Sequence, residues 1–361
     1  MKVSVLGSGN GGYALAFHLV QLGHEVLLFE SEEFKDAIQP VQNTGCIVAL
    51  KEIGDSQAVV HGVSKISIST TDIKDAIGFS NIVMLIVPSF GQGPVFKSAL
   101  PYLTEKHILI SLPGNFAFLE YLKIVKERSE LDVTKDLPFT LVETSTIPYA
   151  CRKVKGNQVF ISGIKAMLNA GVYPCSKTAE TMKAISPLFI LNLQTTTNIL
   201  EVGFCNLACV VHPSITIYNA GWIESREGEF GFYKDGASPA VLKLVTALDK
   251  ERIAIAHALG FTVDSLLTGW AKWYGEKEVN TLEELVGTKR YETIKAPSSL
   301  NSRYLTEDLN FILLPIVNLA RQYNVPTPVA DAVVTSAKTL TGLSFQSARC
   351  FSTFPRHFQN L

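Results

Sequence analysis

The chain has 361 residues, of which 47% are hydrophobic and 18% are charged. This length predicts about two domains, each able to bury a core, and the composition excludes a disordered or fibrous protein. Because 32 basic residues are balanced by 33 acidic ones, the sequence gives no support to a broad nucleic-acid-binding surface.

The first half alternates apolar strand patterns with helical patterns. Strands are predicted at 2–7, 25–30, 65–70, 81–87, 107–112 and 139–144, with shorter ones at 159–162 and 191–195. Helices are predicted at 11–22, 72–78, 94–103, 116–128 and 176–188. Strands that are apolar almost throughout are typical of a parallel sheet covered on both faces. The alternation therefore predicts an α/β Rossmann domain with a doubly wound, mainly parallel sheet.

Strand patterns disappear after about residue 198. Long helical patterns replace them, at 199–218, 239–259, 281–287, 307–323 and 329–342. We therefore predict a nucleotide-binding domain over residues 1–197 and an all-α catalytic and substrate domain over residues 198–361. No Pro- or Gly-rich linker separates them, which favours closely joined domains with a cleft between them.

Two features favour a cytoplasmic protein without a membrane partner. The apolar stretches at 81–90 and 310–317 are shorter than the roughly 20 residues that span a bilayer, and the N-terminal residues follow a strand pattern rather than a secretion signal.

The six cysteines have no Cys-x-x-Cys spacing, which predicts free thiols. Cys205, Cys209 and His212 would share a helical face, but metal sites rarely take three ligands from one helix. We predict no metal.

A glycine motif follows the first strand. Gly7, Gly9 and Gly12 have the spacing Gly-x-Gly-x-x-Gly between a strand and a helix, and Glu30 ends the second strand. Gly7 permits a tight turn, Gly9 lets a diphosphate approach the backbone, and Gly12 lets the helix pack closely on the strand. The helix N-terminus attracts the diphosphate, and a carboxylate at Glu30 would accept hydrogen bonds from the adenosine ribose. The motif predicts a dinucleotide site that prefers NAD to NADP; FAD remains a minor alternative.

Longer motifs carry a family resemblance. They are Gly7–Gly12 (GSGNGG), Val87–Phe90 (VPSF), Leu112–Asn115 (LPGN), Glu143–Arg152 (ETSTIPYACR), Val211–Pro213 (VHP) and Ser299–Asp308 (SLNSRYLTED). Together they make the chain resemble the octopine and opine dehydrogenases, from residue 1 to about residue 340. The resemblance implies a Rossmann domain followed by a helical domain. It also implies NAD(P)H-dependent reductive condensation of an α-keto acid, often pyruvate, with the amino group of an amino acid, and the reverse oxidation.

The resemblance also assigns roles to residues. It implies that His212 is the catalytic acid and base, in keeping with the ability of imidazole to exchange a proton near neutral pH. It pairs His212 with Asp308, which would hold one ring nitrogen and stabilise the imidazolium. Arg303 is assigned to a substrate carboxylate, because a guanidinium matches that group with two parallel donors. Asn115 and Thr144 are expected near the substrate or the nicotinamide. Further cofactor contacts are expected at Asn10, Gly11 and Pro88. Where many members have Asp-Val-Pro, this chain has Asp308-Leu309-Asn310.

The glycine motif is also compatible with two other functions. A reductase of a small 2-keto or phosphorylated substrate, of the glycerol-phosphate or ketopantoate type, would need a catalytic lysine, for which Lys243 and Lys250 are the candidates. A non-catalytic NAD-binding regulator would not need His212, Arg303 and Asp308 together. The expected partners are small-molecule substrates, and a homodimer is left open.

Overall fold

The computed structural model describes residues 1–54, 56–128, 137–276, 279–347 and 349. These residues divide into two compact units, one spanning Met1–Val202 and one beginning at Gly203. The domain boundary predicted between residues 197 and 198 lies a few residues before this division. Cys350 and the C-terminal part of the predicted second domain lie outside the described residues.

The first unit contains the strands. In chain order they are β1 (Lys2–Leu6), β2 (Glu25–Phe29), β3 (Cys46–Ala49), β4 (Glu52–Ile53), β5 (Ser56–Gln57), β6 (Gly62–Lys65), β7 (Ile68–Thr70), β8 (Ile82–Leu85), β9 (Ile108–Ser111), β10 (Thr140–Thr144), β11 (Tyr149–Lys153), β12 (Gln158–Ile164), β13 (Met167–Tyr173) and β14 (Asn192–Thr195). Its helices are α1 (Asn10–Gln21), α2 (Gln39–Thr44), α3 (Ile73–Phe79), α4 (Ser89–Ala99), α5 (Ala117–Arg128) and α6 (Thr178–Ile185).

One large sheet organises this unit. Its strand order is β14-β13-β10-β9-β8-β1-β2-β7, and all neighbours are parallel except the pair β10 and β13. Strand β1 lies between β2 and β8, and the direction in which successive strands are added to the sheet reverses there. In such sheets the ligand site lies at the carboxyl ends of the strands at this reversal. Val5 and Leu6, which are consecutive in β1 and point to opposite faces, are both fully buried, as expected for strands covered on both faces. The predicted fold class is confirmed.

Three predictions for this unit need correction. The segment 159–162 belongs to a second sheet of order β11-β12-β3-β6, and β13 takes the expected place in the large sheet. The strand predicted over 65–70 is divided, because Lys65 ends β6 and only Ile68–Thr70 pairs with β2. The helix predicted to begin at residue 94 begins at Ser89, so Pro94 lies inside it.

The second unit is helical. The short helix α7 (Ile199–Phe204) contains the division between the units. The helices that follow are α8 (Ala208–Tyr218), α9 (Ala220–Arg226), α10 (Pro239–Ala258), α11 (Leu266–Tyr274), α12 (Leu282–Val286), α13 (Lys289–Glu292), α14 (Arg303–Thr306), α15 (Leu314–Gln322) and α16 (Pro328–Thr341). Helix α10 buries one face, which includes Leu242, Val245 and Leu248, against the rest of the unit.

The apolar stretch Ile199–Tyr218 is not one continuous helix. It is long and apolar enough to cross a membrane by length and composition, but 83% of its most apolar window is buried inside the protein. A core helix has the same properties, so this stretch is weak evidence for a membrane span. Because α7 ends at Phe204 and α8 begins at Ala208, Cys205 lies in the break. Cys205, Cys209 and His212 therefore do not share one helical face, contrary to the spacing argument.

The helix predicted over 307–323 is interrupted near its start. Residues Leu309–Leu313 form a π-helical segment between α14 and α15. Such segments are rare, and they occur frequently at functional sites. The segment begins directly after Asp308, where many members of the resembled family have a proline two residues later. Asn310 instead supplies the backbone N–H that a proline would lack.

Candidate active site

The glycine turn has the geometry that a dinucleotide diphosphate needs. Gly7 has a φ of +115°, which side-chain-bearing residues rarely adopt. A Cβ on Gly12 would lie 1.8 Å from the carbonyl oxygen of Gly7, so only glycine lets α1 pack this closely on β1. A Cβ on Gly9 would meet nothing within 4 Å, which leaves open space beside the turn.

The N-terminus of α1 faces this open space without a side-chain cap. Gly9 is the N-cap residue and makes no side-chain hydrogen bond, and the first turn of α1, from Asn10, carries no acidic residue. The first N–H groups of the helix, together with its partial positive charge, match a diphosphate. The residues that are present therefore fit the predicted cofactor.

Glu30 is tied to the glycine turn. Its carboxylate is buried, and Oε2 accepts hydrogen bonds from the backbone N–H and from the hydroxyl of Ser8, both at 2.8 Å. Oε1 accepts from the N–H of Ser31 at 3.0 Å. A carboxylate has about four acceptor positions, so a ribose hydroxyl would compete with or join these donors. The Ser8 contact was not predicted, since Ser8 occupies a variable position of the motif.

A lysine from the second sheet also holds the turn. The ammonium of Lys153, on β11, donates to the carbonyl oxygens of Ser8 at 3.2 Å and Ala37 at 2.8 Å. It lies 3.9 Å from the centre of the Tyr13 ring. Burial lowers the pKa of Lys153, while the nearby Glu30 carboxylate opposes this change. The sequence motif gave no indication of Lys153, because β11 is distant from the turn along the chain.

The structure brings Pro88, Asn115 and Thr144 to the carboxyl ends of neighbouring strands. Pro88 precedes α4, and Gly114 donates its N–H to the carbonyl of Thr144 at 2.9 Å. Asn115 has a φ of +56° and donates from Nδ2 to the hydroxyl of Ser89. The hydroxyl of Thr144 donates to the carbonyl of Thr146 at 2.9 Å, and both Asn115 and Thr144 are buried. Their contacts with a ligand remain a prediction.

In the second unit, His212 and Asp308 meet across 96 positions of sequence. His212 Nδ1 lies 2.7 Å from Asp308 Oδ2, and their side chains are 21% and 14% exposed. Helix α8 carries the imidazole, and the start of the π-helical segment carries the carboxylate. Asp308 makes no capping hydrogen bond at that helix start. Its carboxylate contacts the imidazole instead.

Burial raises the pKa of Asp308 above its usual value, and the neighbouring His212 opposes this rise through its charge and its hydrogen bond. A carboxylate that is removed from water gains most by holding a positive charge close to it. The pair is therefore arranged to stabilise an imidazolium, as the carboxylate does in other His–Asp pairs.

Two tyrosines that the sequence reasoning did not assign complete the surroundings of the imidazole. His212 Nε2 lies 3.0 Å from the hydroxyl of Tyr233. The ring of Tyr304 stacks on the imidazole with centroids 4.2 Å apart and planes inclined by 27°. Tyr304 could have been found, because it precedes Asp308 by four residues, the spacing of one helical face. No local pattern points to Tyr233.

Arg303 forms an ion pair in this structure. Its Nε donates to Glu307 Oε2 at 2.6 Å, one helical turn along the chain. The Arg303 side chain is 66% exposed, whereas that of Glu307 is 6% exposed. The positive charge of Arg303 also acts on Asp308, whose pKa it lowers slightly against the effect of burial. Its role toward a substrate carboxylate stays a prediction.

The lysines named for the alternative reductase lie away from the buried face of their helix. Lys243 and Lys250 lie on exposed positions of α10, opposite the face that contains Leu242, Val245 and Leu248. Within the described ranges, no group of three or more His, Cys, Asp or Glu side chains is arranged to hold a metal ion.

Comparison with known proteins extends over both units. The family model for the alpha-helical domain of NAD/NADP octopine/nopaline dehydrogenase matches residues 195–341, and the model for the N-terminus of NAD-dependent glycerol-3-phosphate dehydrogenase matches residues 2–116. Opine dehydrogenase from Arthrobacter sp. (strain 1C) is 30% identical over 347 residues, which cover 95% of this chain and 91% of that protein.

More distant relatives agree. Octopine dehydrogenase from Mizuhopecten yessoensis is 25% identical over 393 residues, covering 97% of this chain and 95% of that protein. A solved structure of octopine dehydrogenase with NADH and L-arginine has a TM-score of 0.77 and 21% identity, covering 98% of this chain and 92% of the other. This structural likeness shows a shared fold.

Proposed function

The chain belongs to the opine dehydrogenase family, and from this premise we propose that it joins an α-keto acid to an amino acid by reducing the imine that they form. The keto acid in this proposal is pyruvate. The enzyme is an NAD(P)-dependent oxidoreductase acting on CH–NH bonds. The paired side chains of His212 and Asp308, 2.7 Å apart in the second unit, are the observation that carries the assignment of the proton chemistry.

The first unit holds the cofactor in this proposal. The uncapped N-terminus of α1 and the open space at Gly9 support a diphosphate site there. Glu30 favours NAD, because a carboxylate repels a 2′-phosphate and accepts hydrogen bonds from ribose hydroxyls. Asn10, Gly11 and Pro88 are proposed as further contacts. Reduced nicotinamide, when it is bound, supplies the hydride.

The second unit handles the proton. Imine formation needs a base that takes a proton from the ammonium group of the amino donor and an acid that gives one to the departing hydroxyl. His212 can do both, and the buried carboxylate of Asp308 stabilises the imidazolium between the two steps. Arg303 is proposed to bind a substrate carboxylate by exchanging its partner Glu307 for it. Asn115 and Thr144 are proposed near the substrate or the nicotinamide.

The dependence of the reaction on two substrates tests this function. We expect the purified protein to consume NADH only when pyruvate and an amino acid are both present. Absorbance at about 340 nm measures the NADH that is consumed, and mass spectrometry identifies the secondary amine product. A panel of neutral, basic and acidic amino acids would identify the donor. Comparable NADH consumption with the keto acid alone would favour a simple keto acid reductase and contradict the proposal.

The setting of the reaction is proposed to be the cytoplasm. The cysteines that the structure describes, at positions 46, 151, 175, 205 and 209, are free thiols, which supports a reducing compartment. A homodimer stays a prediction, and sedimentation velocity of the purified chain with and without NADH would test it.

A further inference from the structure

The second nitrogen of the His212 imidazole already has a partner within the protein. An ionised carboxylate can accept a hydrogen bond but cannot donate one. Because Nδ1 faces the Asp308 carboxylate, Nδ1 carries a hydrogen when that carboxylate is ionised. In the neutral ring Nε2 is then an acceptor, and the hydroxyl of Tyr233 is 3.0 Å away from it. The reacting nitrogen of the proposed acid and base is therefore held by a phenol.

A phenol can serve this nitrogen in both of its protonation states. Toward neutral imidazole the Tyr233 hydroxyl donates, and toward imidazolium the same oxygen accepts after its hydrogen rotates away. Burial, together with nearby tyrosines and Asp308, raises the pKa of Tyr233 well above its usual value, so the hydroxyl keeps its proton. The ring of His212 need not turn when it gains or loses a proton.

The position of Tyr233 is fixed independently of His212. The loop between α9 and α10 is tied down by a β-bridge from Gly231 to Lys295 and by the bond from Phe232 N–H to Ile294, at 2.8 Å. The Tyr233 ring contacts the rings of Tyr291 and Trp270, with centroids 4.7 and 5.7 Å away. A buried and rigidly held hydroxyl is a more precise partner than a mobile one.

We propose that Tyr233 is a positioning residue for the proton transfer, acting through His212. Its oxygen holds Nε2 in a fixed direction and stabilises the imidazolium as the second acceptor beside Asp308. This inference rests on the proposed function, because it takes His212 as the acid and base. It assigns a role to the loop between α9 and α10, which contains none of the motifs that carry the family resemblance.

Other groups that face the imidazole do not replace Tyr233. Tyr304 stacks on the ring and so contacts its face rather than its nitrogens. On α10, Asp249 and Arg252 are buried and bind each other, with 2.8 Å between Oδ1 and Nε. Among the charged groups of the elements packed against α8, Arg303 and Glu307 act on Asp308, and burial together with Asp308 raises the pKa of Tyr304. The charges of Asp249 and Arg252 act on Cys209 of α8.

Replacing Tyr233 by phenylalanine removes one oxygen and keeps the ring contacts. Because hydrogen bonds to an ionised group are about twice as strong as neutral ones, the imidazolium loses more than the neutral ring does. In the opine-oxidising direction, where the imidazole must be neutral, we expect the acid limb of the kcat profile to move to lower pH by about one unit, which equals about 1.4 kcal/mol. We also expect kcat at the optimum to fall about tenfold, with NADH affinity unchanged.

Tyr291→Phe is the matched control. Tyr291 belongs to the same aromatic cluster, and its hydroxyl accepts from Trp270 Nε1 rather than touching His212. We expect this variant to keep the wild-type acid limb. If Tyr233→Phe lowers kcat but leaves the acid limb in place, or if both variants move it equally, the tyrosine is merely structural and the proposal is wrong.

A measurement on the unaltered protein keeps the test independent of folding. ¹⁵N NMR of the histidine ring, at a pH where it is neutral, reports which nitrogen carries the hydrogen. We expect Nδ1–H with Nε2 as acceptor, and a spectrum of the Nε2–H form would overturn the proposal. The proposed function fails in a different way, since NADH would then be consumed with the keto acid alone, whatever Tyr233→Phe does to the acid limb.

Discussion

Asp308 is the residue at which the proposed reaction and stability compete. Its folded pKa is raised by burial, so the folded chain binds its proton more tightly than the unfolded chain does. The stability that goes with this proton is present at low pH, declines as pH rises above the unfolded value, and is lost once pH passes the folded pKa. Where Asp308 is ionised it therefore lowers stability, while in the proposed reaction it stabilises the imidazolium.

We predict opposite effects of Asp308→Asn on activity and stability. The amide is uncharged, so kcat should fall about a hundredfold or more because the imidazolium loses its counter-charge. The free energy of unfolding at pH 7, measured with urea, should not decrease and should rise by up to about 1 kcal/mol, since a buried charge is removed. A variant that keeps full turnover, or that loses several kcal/mol, would contradict this interpretation of the pair.

At Glu30 a single carboxylate is expected to select the cofactor and to hold the turn. Glu30→Ser removes the negative charge that would repel a 2′-phosphate. We therefore predict that the ratio of NADH affinity to NADPH affinity falls about tenfold. The fluorescence of the bound cofactors measures both affinities. Ser8 also loses the acceptor of its N–H and hydroxyl, so NADH affinity itself should fall. Glu32→Ser, at a neighbouring exposed carboxylate, is the control. An unchanged ratio in Glu30→Ser would mean that Glu30 does not reach the ribose.

The residues of the site differ in how far the sequence could predict them. His212 and Asp308 were reached through motifs, and the structure brings them together although no local spacing relates them. Tyr233 could not be predicted, because its contact with His212 depends on the path of a loop that has no regular structure. The ion pair of Arg303 with Glu307 follows a helical spacing of four residues, and the motif drew attention to Arg303 alone.

At the scale of elements, the junction of β1 and α1 separates packing from ligand binding. Gly12→Ala would place a Cβ 1.8 Å from the Gly7 carbonyl oxygen, whereas Gly9→Ala would meet nothing within 4 Å. We predict that Gly12→Ala lowers the free energy of unfolding by about 3 kcal/mol, since backbone must move. Gly9→Ala should change it by less than about 1 kcal/mol but weaken NADH binding at least tenfold.

Thermal unfolding and NADH titration of the two variants would check this pair. The turn would lose its assigned role if Gly9→Ala bound NADH as tightly as the unaltered chain. Equal loss of stability in both variants would instead show that Gly9 is needed for packing.

The elements themselves were predictable where one residue pattern dominated. The buried parallel strands β1, β2, β8, β9 and β10 were recognised from their apolar runs, and α10 from its helical periodicity. Strands β11 and β13 were missed because polar and small residues, such as Arg152 and Gly171, interrupt them. The break at Cys205 and the π-helical segment after Asp308 were missed because both are mainly apolar and keep the pattern of a continuous helix.

At the scale of the whole molecule, the proposed chemistry is divided between two compact units. The described groups proposed for the diphosphate and the ribose, including Gly9 and Glu30, belong to the unit Met1–Val202, and His212, Tyr233 and Asp308 to the unit that begins at Gly203. This division explains why the glycine motif alone could not separate an opine dehydrogenase from the other dinucleotide-binding proteins. In the proposed function, the specific chemistry lies in the helical unit.

The division predicts that the two sites contribute independently. His212→Ala should lower kcat about a hundredfold or more and leave the dissociation constant for NADH within about twofold of its original value. Gly9→Ala should do the reverse, raising that constant while kcat recovers at saturating NADH. Because the described contacts of the two residues share no partner, the double variant should lose kcat/KM for NADH by the product of the single losses, to within about 0.5 kcal/mol. Steady-state kinetics of the four proteins measure this, and a coupling well above that size would mean that the imidazole takes part in holding the cofactor.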